Sequence, residues 1–362
     1  MSKLVIILGA GATRAQSEPD SDPDLPSETT PPLDHGFFSQ MPPSMSNDPS
    51  LRRVARYLKR RYHYSLGPKG LDSFELVASM IYTDTFATNT QDRAYPILLD
   101  LIQILAKRIA QSTNDLIPHE NNPLQRVLQR HFEIVPARRL SIVTFNYDLQ
   151  AERALHFASS QSASRHHKMS FPGCYRLENY DIHTIQNRSR LVREHDEDVC
   201  HVDIPILKLH GSLNWYTPYN ARKPSKERFL SSSDRAFRIA NSDTLPEWPL
   251  LTKSPSPRRH YGYPLLVPPV PHKSALFHAD IKALWVHAAD EIASATELLF
   301  FGYSCPSTDQ EAANLVRSAV ARNRELRRIA VIDPSPSIAE RVAELTSAAS
   351  YTWYRSVYDY LK

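Results

Sequence analysis

Four short polar motifs each stand at the end of an apolar run: Gly9-Ala10-Gly11-Ala12-Thr13, Thr144-Phe145-Asn146-Tyr147-Asp148, His210-Gly211-Ser212 and Gly302-Tyr303-Ser304. A Gly-x-Gly turn lets backbone N–H groups approach a phosphate because no Cβ intervenes, and Thr13 adds a hydroxyl. Asn146 and Asp148 are two residues apart, so an extended backbone points both to one side. An amide that donates and accepts, beside a carboxylate, suits the holding of a water and a sugar or carboxamide group. A histidine such as His210 can act as a base or hydrogen-bond a sugar hydroxyl. Plainer readings stay open for each: a tight turn at Gly9 to Gly11, a helix N-cap at Asp148, a turn-capping histidine at His210, and simple turns at Gly302-Tyr303-Ser304 and Asp333-Pro334.

The elements that must position these groups are legible from periodicity. Leu4 to Leu8, Leu140 to Val143, Ile204 to Leu209 and Leu298 to Phe301 are near-continuous apolar runs. Such runs predict strands buried on both faces of a parallel sheet, with ligands beyond their carboxyl ends, where all four motifs lie. Arg328 to Ile332 predicts a last strand, ending at Asp333. Position 14 is Arg where the dinucleotide fingerprint of dehydrogenases has its third glycine, which disfavours hydride transfer. Residues 1–50 are read as the first strand, phosphate loop and lid of a Rossmann-like domain, with Pro31 to Phe38 as the lid candidate in an otherwise extended loop. Residues 51–134 turn to helical spacing, with a capping box at Asp72-x-x-Glu75 and Pro123 at a first helical position, and are read as an inserted helical subdomain. Residues 135–362 are the rest of the Rossmann-like domain. They carry long loops at 159–203 and 217–260, helices after Asp148, around Ile281 to Ile292 and near Ser337 to Ala348, and a capping box at Thr308-x-x-Glu311.

Composition excludes more than it assigns. With 362 residues, 41% hydrophobic and 23% charged, the chain has the makeup of an ordinary globular protein, and a net charge of +4 is too small by itself to argue for nucleic acid, so any basic function must be local. Four of its nine glycines fall inside the motifs. Three scattered cysteines build neither a disulfide framework nor a zinc ribbon, and His195, Cys200 and His201 beside Asp196 and Asp198 match no ligand spacing, so no metal is expected. Leu4 to Leu8 is shorter than a signal-peptide core, and no run approaches a membrane span, which points to a cytoplasmic protein with no membrane association. Arg52, Arg53, Arg56, Lys59, Arg60 and Arg61 follow one another with no acid between them. They form either a surface for nucleic acid or an acidic partner, or a solvated or intersubunit face.

Taken together, the motifs resemble the sirtuin superfamily in order and spacing, and are most similar to the bacterial sirtuin-like NAD hydrolases that act in antiphage defence. Leu209-His210-Gly211-Ser212-Leu213-Asn214-Trp215, Val267-Pro268-Pro269 and Phe301-Gly302-Tyr303-Ser304 with Asp309 carry the likeness to that branch. The cysteine pairs that bind zinc in deacylating sirtuins have no counterpart, and the glutamine preceding their catalytic asparagine is Phe145. Thr13 stands where serine is usual. The resemblance implies an α/β fold with a Rossmann-like parallel sheet of the sirtuin/DHS-like NAD-binding kind, an inserted helical subdomain and no zinc ribbon. It implies NAD+ as substrate, cleaved to nicotinamide and ADP-ribose or its cyclic form. Asn146, His210 and Asp148 would be the catalytic residues. Gly9, Ala10, Gly11, Thr13, Gly211, Gly302, Ser304, Asp309 and Asp333 would contact the dinucleotide. It further implies a homo-oligomer and a separate sensor or activator, such as a translocase ATPase or an Argonaute-like protein. A sensor that binds NAD or ADP-ribose without turnover, and an NAD-dependent deacylase, are the competing readings.

Overall fold

The computed structural model describes residues 3–16, 31, 34–87, 91–113, 116, 120–134, 139–161, 168–169, 173–177, 180–184, 201–202, 204–219, 237–241, 261–270, 279–306, 309–348 and 350–362. Among them, the strands in chain order are β1 (Leu4–Leu8), β2 (Leu140–Thr144), β3 (Lys168–Met169), β4 (Tyr180–Thr184), β5 (His201–Val202), β6 (Ile206–Lys208), β7 (Gly211–Tyr219), β8 (Phe237–Asn241), β9 (Tyr261–Leu266), β10 (Glu297–Phe301), β11 (Arg328–Ile332) and β12 (Thr352–Tyr354). The helices are α1 (Ala10–Arg14), α2 (Pro49–Tyr62), α3 (Phe74–Asp84), α4 (Gln91–Thr113), α5 (Pro123–Ile134), α6 (Gln150–Gln161), α7 (Ala279–Ala293), α8 (Gln310–Arg322), α9 (Pro336–Thr346) and α10 (Val357–Leu361).

Six strands form one sheet in the order β12-β11-β10-β1-β2-β6, every pair parallel. Numbered by their own succession and read from the β6 edge, this is 3-2-1-4-5-6, the doubly wound Rossmann order. The expected α/β class with a Rossmann-like parallel sheet is therefore what the chain adopts. The reason lies in the runs themselves: every residue of β1 and β2 is buried, as a strand covered on both faces requires. The chain order reverses between β1 and β10, and such a switch point opens a crevice beyond the strand ends.

The helices α2 to α5 stand between β1 and β2 in sequence, as the helical spacing predicts. α2 buries Val54 and Leu58 and is tied to α4 by Arg53, which grips Asp100 through Nε at 2.6 Å and a second guanidinium nitrogen at 2.5 Å. α5 reaches the carboxyl-terminal helix α10, where the His131 ring contacts the Tyr360 hydroxyl at 2.6 Å.

Several local expectations are corrected. The segments 159–203 and 217–260, read as loops, contain β3, β4, β5 and β8, and β7 runs on to Tyr219. β4, β8, β7 and β9 form a second sheet, in which β7 is antiparallel to both β8 and β9. Short strands that take their order from cross-strand partners leave weak periodicity, so the sequence hid them. Asp72 does not cap α3: Ser73 does, its Oγ accepting from Leu76 N, while Asp72 accepts from the backbone of Phe38 and Ser39. Asp309 caps α8, its side chain accepting from Ala312 N; Thr308 of the expected capping box lies outside the described residues. His195 and Cys200 lie outside the described residues. Among the described residues no helix is long and apolar enough to cross a membrane, and no group of His, Cys, Asp and Glu could hold a metal ion.

Candidate active site

A cavity of about 900 Å³ opens beyond the carboxyl ends of β1, β2, β6, β10 and β11. Its walls bring together Gly9, Ala10, Gly11, Thr13, Asn146, Asp148, His210, Gly302, Ser304, Asp309 and Asp333, residues spread over most of the chain. Gly211 is not among them. Its φ is +85°, and a Cβ there would stand 1.8 Å from the Leu265 carbonyl oxygen, so this glycine is required where β7 crosses β9.

The other glycines are explained by the same kind of crowding. A Cβ on Gly9 would lie 2.5 Å from the Gly302 carbonyl oxygen, and one on Gly302, with φ +59°, would lie 2.1 Å from Ala12 N. Gly11 N donates to Gly302 O at 2.9 Å and Gly9 N to Phe301 O at 3.2 Å. The first loop is thus clamped against the end of β10 across the switch point. This clamp, rather than a ligand alone, demands glycine at these three positions.

Two polar clusters face the cavity. In the first, Asn146 Nδ2 donates to the Gly9 carbonyl at 2.8 Å and to Thr13 Oγ1 at 3.0 Å, and Thr13 Oγ1 donates to Asp148 Oδ2 at 2.8 Å. The polarity of this chain is fixed at both ends, because a carbonyl and a carboxylate can only accept. Both amide hydrogens of Asn146 are thereby used inside the protein, and its Oδ1 is the polar atom left for a ligand. Asp148 Oδ1 accepts from Gln150 N at 2.9 Å at the start of α6, and the same residue lines the cavity. Behind it, the fully buried Lys208 pairs with Glu152 at 3.0 Å and donates to the Asp148 carbonyl, fixing the start of α6 to β6. Tyr175 donates to Glu152 at 2.8 Å and completes the support.

In the second cluster His210 Nε2 lies 3.2 Å from Asp309 Oδ2. The carboxylate can only accept, so His210 meets it through an Nε2–H donor. Asp309, expected on the dinucleotide, lines the cavity, and its carboxylate meets His210 and accepts from Ala312 N, 3.0 Å away. The His210 backbone is held by Val267 N at 2.8 Å, and its ring sits among Phe145, Tyr147 and Trp285, with centroids at 5.3, 5.9 and 6.3 Å. Phe145 stacks on Tyr303 at 4.6 Å. Burial, with the Asp309 carboxylate next, pushes the phenols of Tyr147 and Tyr303 well above their ordinary range. Burial also raises Asp333, against a backbone N–H from Ser335 and the charge of Arg341.

Pro31, Asp34, His35 and Phe37 of the segment read as a lid are on the cavity wall. Sequence reasoning missed Glu75, Arg14, Tyr303 and Arg355, which line it too. Glu75 and Arg355 carry no local signal, since only the docking of α3 and of the carboxyl terminus brings them there. Tyr303 sits inside a motif whose glycine and serine drew the attention.

Comparison with known proteins yields no matching family model and no matching curated protein. Among solved structures, a mutant Sir2 homologue in complex with ADP-ribose is 15% identical, covers 99% of this chain and 88% of its own, and has a TM-score of 0.44. A Sir2 homologue in complex with NAD is 13% identical, with coverages of 99% and 85% and a TM-score of 0.42. Sir2 bound to an acetylated peptide is 11% identical, with coverages of 99% and 90% and a TM-score of 0.38.

Proposed function

We propose that the protein cleaves NAD+ at the bond between nicotinamide and ribose, releasing nicotinamide and giving ADP-ribose where water bonds to C1′, or the cyclic form where the adenine ring of the same molecule does. The observation that carries this reading is the polarity of the first cluster. With both amide hydrogens consumed by Gly9 O and Thr13 Oγ1, Asn146 offers a fixed acceptor to the cavity. Departure of nicotinamide takes the C1′–N bond pair onto the ring nitrogen and leaves a cationic, oxocarbenium-like sugar. An immobile amide oxygen can orient the attacking water and favour positive charge at C1′, and it needs no reorganisation to do so. His210, polarised by Asp309, takes the proton that water loses as its oxygen bonds to C1′. Asp148 acts through Thr13 on Asn146. Gly9, Ala10, Gly11 and Thr13 form the wall beside which the pyrophosphate would lie, with Arg14 and Arg355 as its positive charges, and Ser304 and Asp333 would meet the adenosine half.

Motif resemblance supports the finer assignments: a sirtuin-like NAD-depleting effector of antiphage defence in the bacterial cytoplasm. It would act as a homo-oligomer under a separate sensor or activator. A deacylase is the weaker reading, because Phe145, packed between His210 and Tyr303, stands where deacylases place glutamine.

The test is incubation of the purified protein with NAD+ and chromatographic resolution of nicotinamide, ADP-ribose and cyclic products, beside Asn146→Ala, with NAD+ binding measured on both. Turnover is expected to fall about 10³-fold in the variant, in the range for loss of a preorganised polar group, while binding persists. Unchanged turnover in Asn146→Ala would overturn the mechanism. Tight binding by the wild type without cleavage, with or without the partner, would favour a sensor.

A further inference from the structure

The exposed side of α2 has no part in the cavity, yet it is built unlike a surface that only needs solvation. At about 100° per residue, Arg52, Arg56, Lys59, Arg60 and His63 fall within an arc of roughly 100°, opposite the buried pair Val54 and Leu58. All five are exposed. The remaining two arginines of the run are already spent: Arg53 on Asp100, and Arg61 on Asp84 at 3.4 Å. Asp48, which caps the helix, is neutralised by Lys107 at 2.6 Å. Among the described residues no carboxylate pairs with Arg52, Arg56, Lys59 or Arg60; Arg52 only donates to the Asn47 carbonyl.

Helix stability explains part of this charge but not all. Lys59 and Arg60 lie in the last turn, where the helix dipole favours cations, whereas Arg52 lies near the positive end and is disfavoured by it. The apolar face of α2 is consumed by the core, so the helix has none to lay into a lipid surface. Tyr64, 49% exposed, is the large apolar group that follows the helix, and a single such group is too little for the desolvated anchors on which protein interfaces depend. What remains is a rigid, arginine-rich rod of point charges about 16 Å long from Arg52 to His63. Over that length a duplex presents about five phosphates per strand.

We propose that this face of α2 binds the phosphate backbone of double-stranded nucleic acid without reading its sequence. Four neutralised phosphates set a salt slope near −3.6, so affinity should fall about 150-fold between about 50 and about 200 mM salt.

The experiment measures fluorescence anisotropy of labelled duplexes of unrelated sequence across that salt range. It uses the full chain, the quadruple variant Arg52→Glu/Arg56→Glu/Lys59→Glu/Arg60→Glu, its glutamine counterpart, and the control Arg322→Glu/Arg324→Glu on another exposed surface. Both quadruple variants should lose binding by more than tenfold at low salt and flatten the slope, while circular dichroism and NAD+ turnover stay as in the wild type. The control should bind like the wild type. Absence of binding at low salt, an equal loss in the control, or a preference for one duplex sequence would each overturn the proposal. So would binding to anionic vesicles but not to duplexes.

Discussion

The cavity wall and the interior of the helical insertion use the same chemistry to different ends. Asp148 accepts from Thr13 and from Gln150 N, and Asp84 accepts from the Tyr57 and Tyr62 hydroxyls, each at 2.6 Å, and from Arg61. Asp84 stands on α3 and these three partners all stand on α2, so the bonds tie one helix to the other. Around Asp148 they come from α1, just beyond β1, and from the start of α6, beyond β2, and the neighbouring Asn146 keeps its Oδ1 beside an open cavity. A carboxylate surrounded by donors is therefore not by itself a sign of chemistry. What separates a site from an internal clamp is an oriented atom that the chain leaves unspent.

If that distinction holds, the first cavity cluster and the His210 dyad should govern turnover, and the Asp84 clamp only stability. His210→Ala is expected to lower kcat about 10²- to 10³-fold with NAD+ binding retained, as for loss of a general base. Asp309→Asn, which keeps the cap of α8 but weakens the polarisation of the ring, should cost about tenfold. Steady-state kinetics with direct binding measurements decides both, and a raised KM with kcat unchanged for His210→Ala would move His210 from the chemistry to ground-state binding.

Thr13→Val keeps the shape and removes the hydroxyl that orients Asn146. It should lower kcat by roughly tenfold or more, with the buried Asp148 losing a donor and stability falling by about 1–3 kcal/mol. Denaturant melts alongside kinetics check this. A variant of full activity would show that Gly9 O alone orients the amide.

The smallest effect on turnover is expected at the clamp. Burial pushes Asp84 up, but the hydrogen bonds from Tyr57, Tyr62 and Arg61 outweigh it and hold the carboxyl below its ordinary value. A depressed folded-state value means that the charged form contributes stability above the unfolded-state pKa, and that this contribution is lost as pH falls through the folded-state value. The difference in unfolding free energy between wild type and Asp84→Asn should accordingly be flat from about pH 7 to about pH 5 and shrink below about pH 4. Turnover of Asp84→Asn at pH 7 should match the wild type. A large loss of activity would mean that the insertion's interior, and not only its edge at Phe74 and Glu75, belongs to the site.

Much of this was legible in the chain and some was not, for reasons that differ by residue. The runs ending at Gly9, Phe145, His210 and Gly302 identified the parallel strands, because a strand buried on both faces has little room for polar side chains. Their ends place Asn146, Asp148 and His210 beyond the carboxyl edge of the sheet. The glycines were recognised but for an incomplete reason: Gly9 and Gly302 are needed against each other, and Gly211 against Leu265. The capping positions at Ser73 and Asp309 were missed by one residue, since several neighbouring side chains could serve and only backbone geometry chooses among them. The second sheet was missed because β4, β7, β8 and β9 owe their order to one another.

By itself, the sequence determined which segments are buried strands, which are helices of an insertion, and which polar residues interrupt the strand ends, because these depend on local periodicity and on the cost of burying polar groups. Only the tertiary structure decided that Thr13 links Asn146 to Asp148, that Asp309 serves His210, and that Glu75 and Arg355 enter the cavity. Those pairings join residues up to hundreds of positions apart, and no local pattern encodes a distance set by how strands, insertion and carboxyl terminus pack.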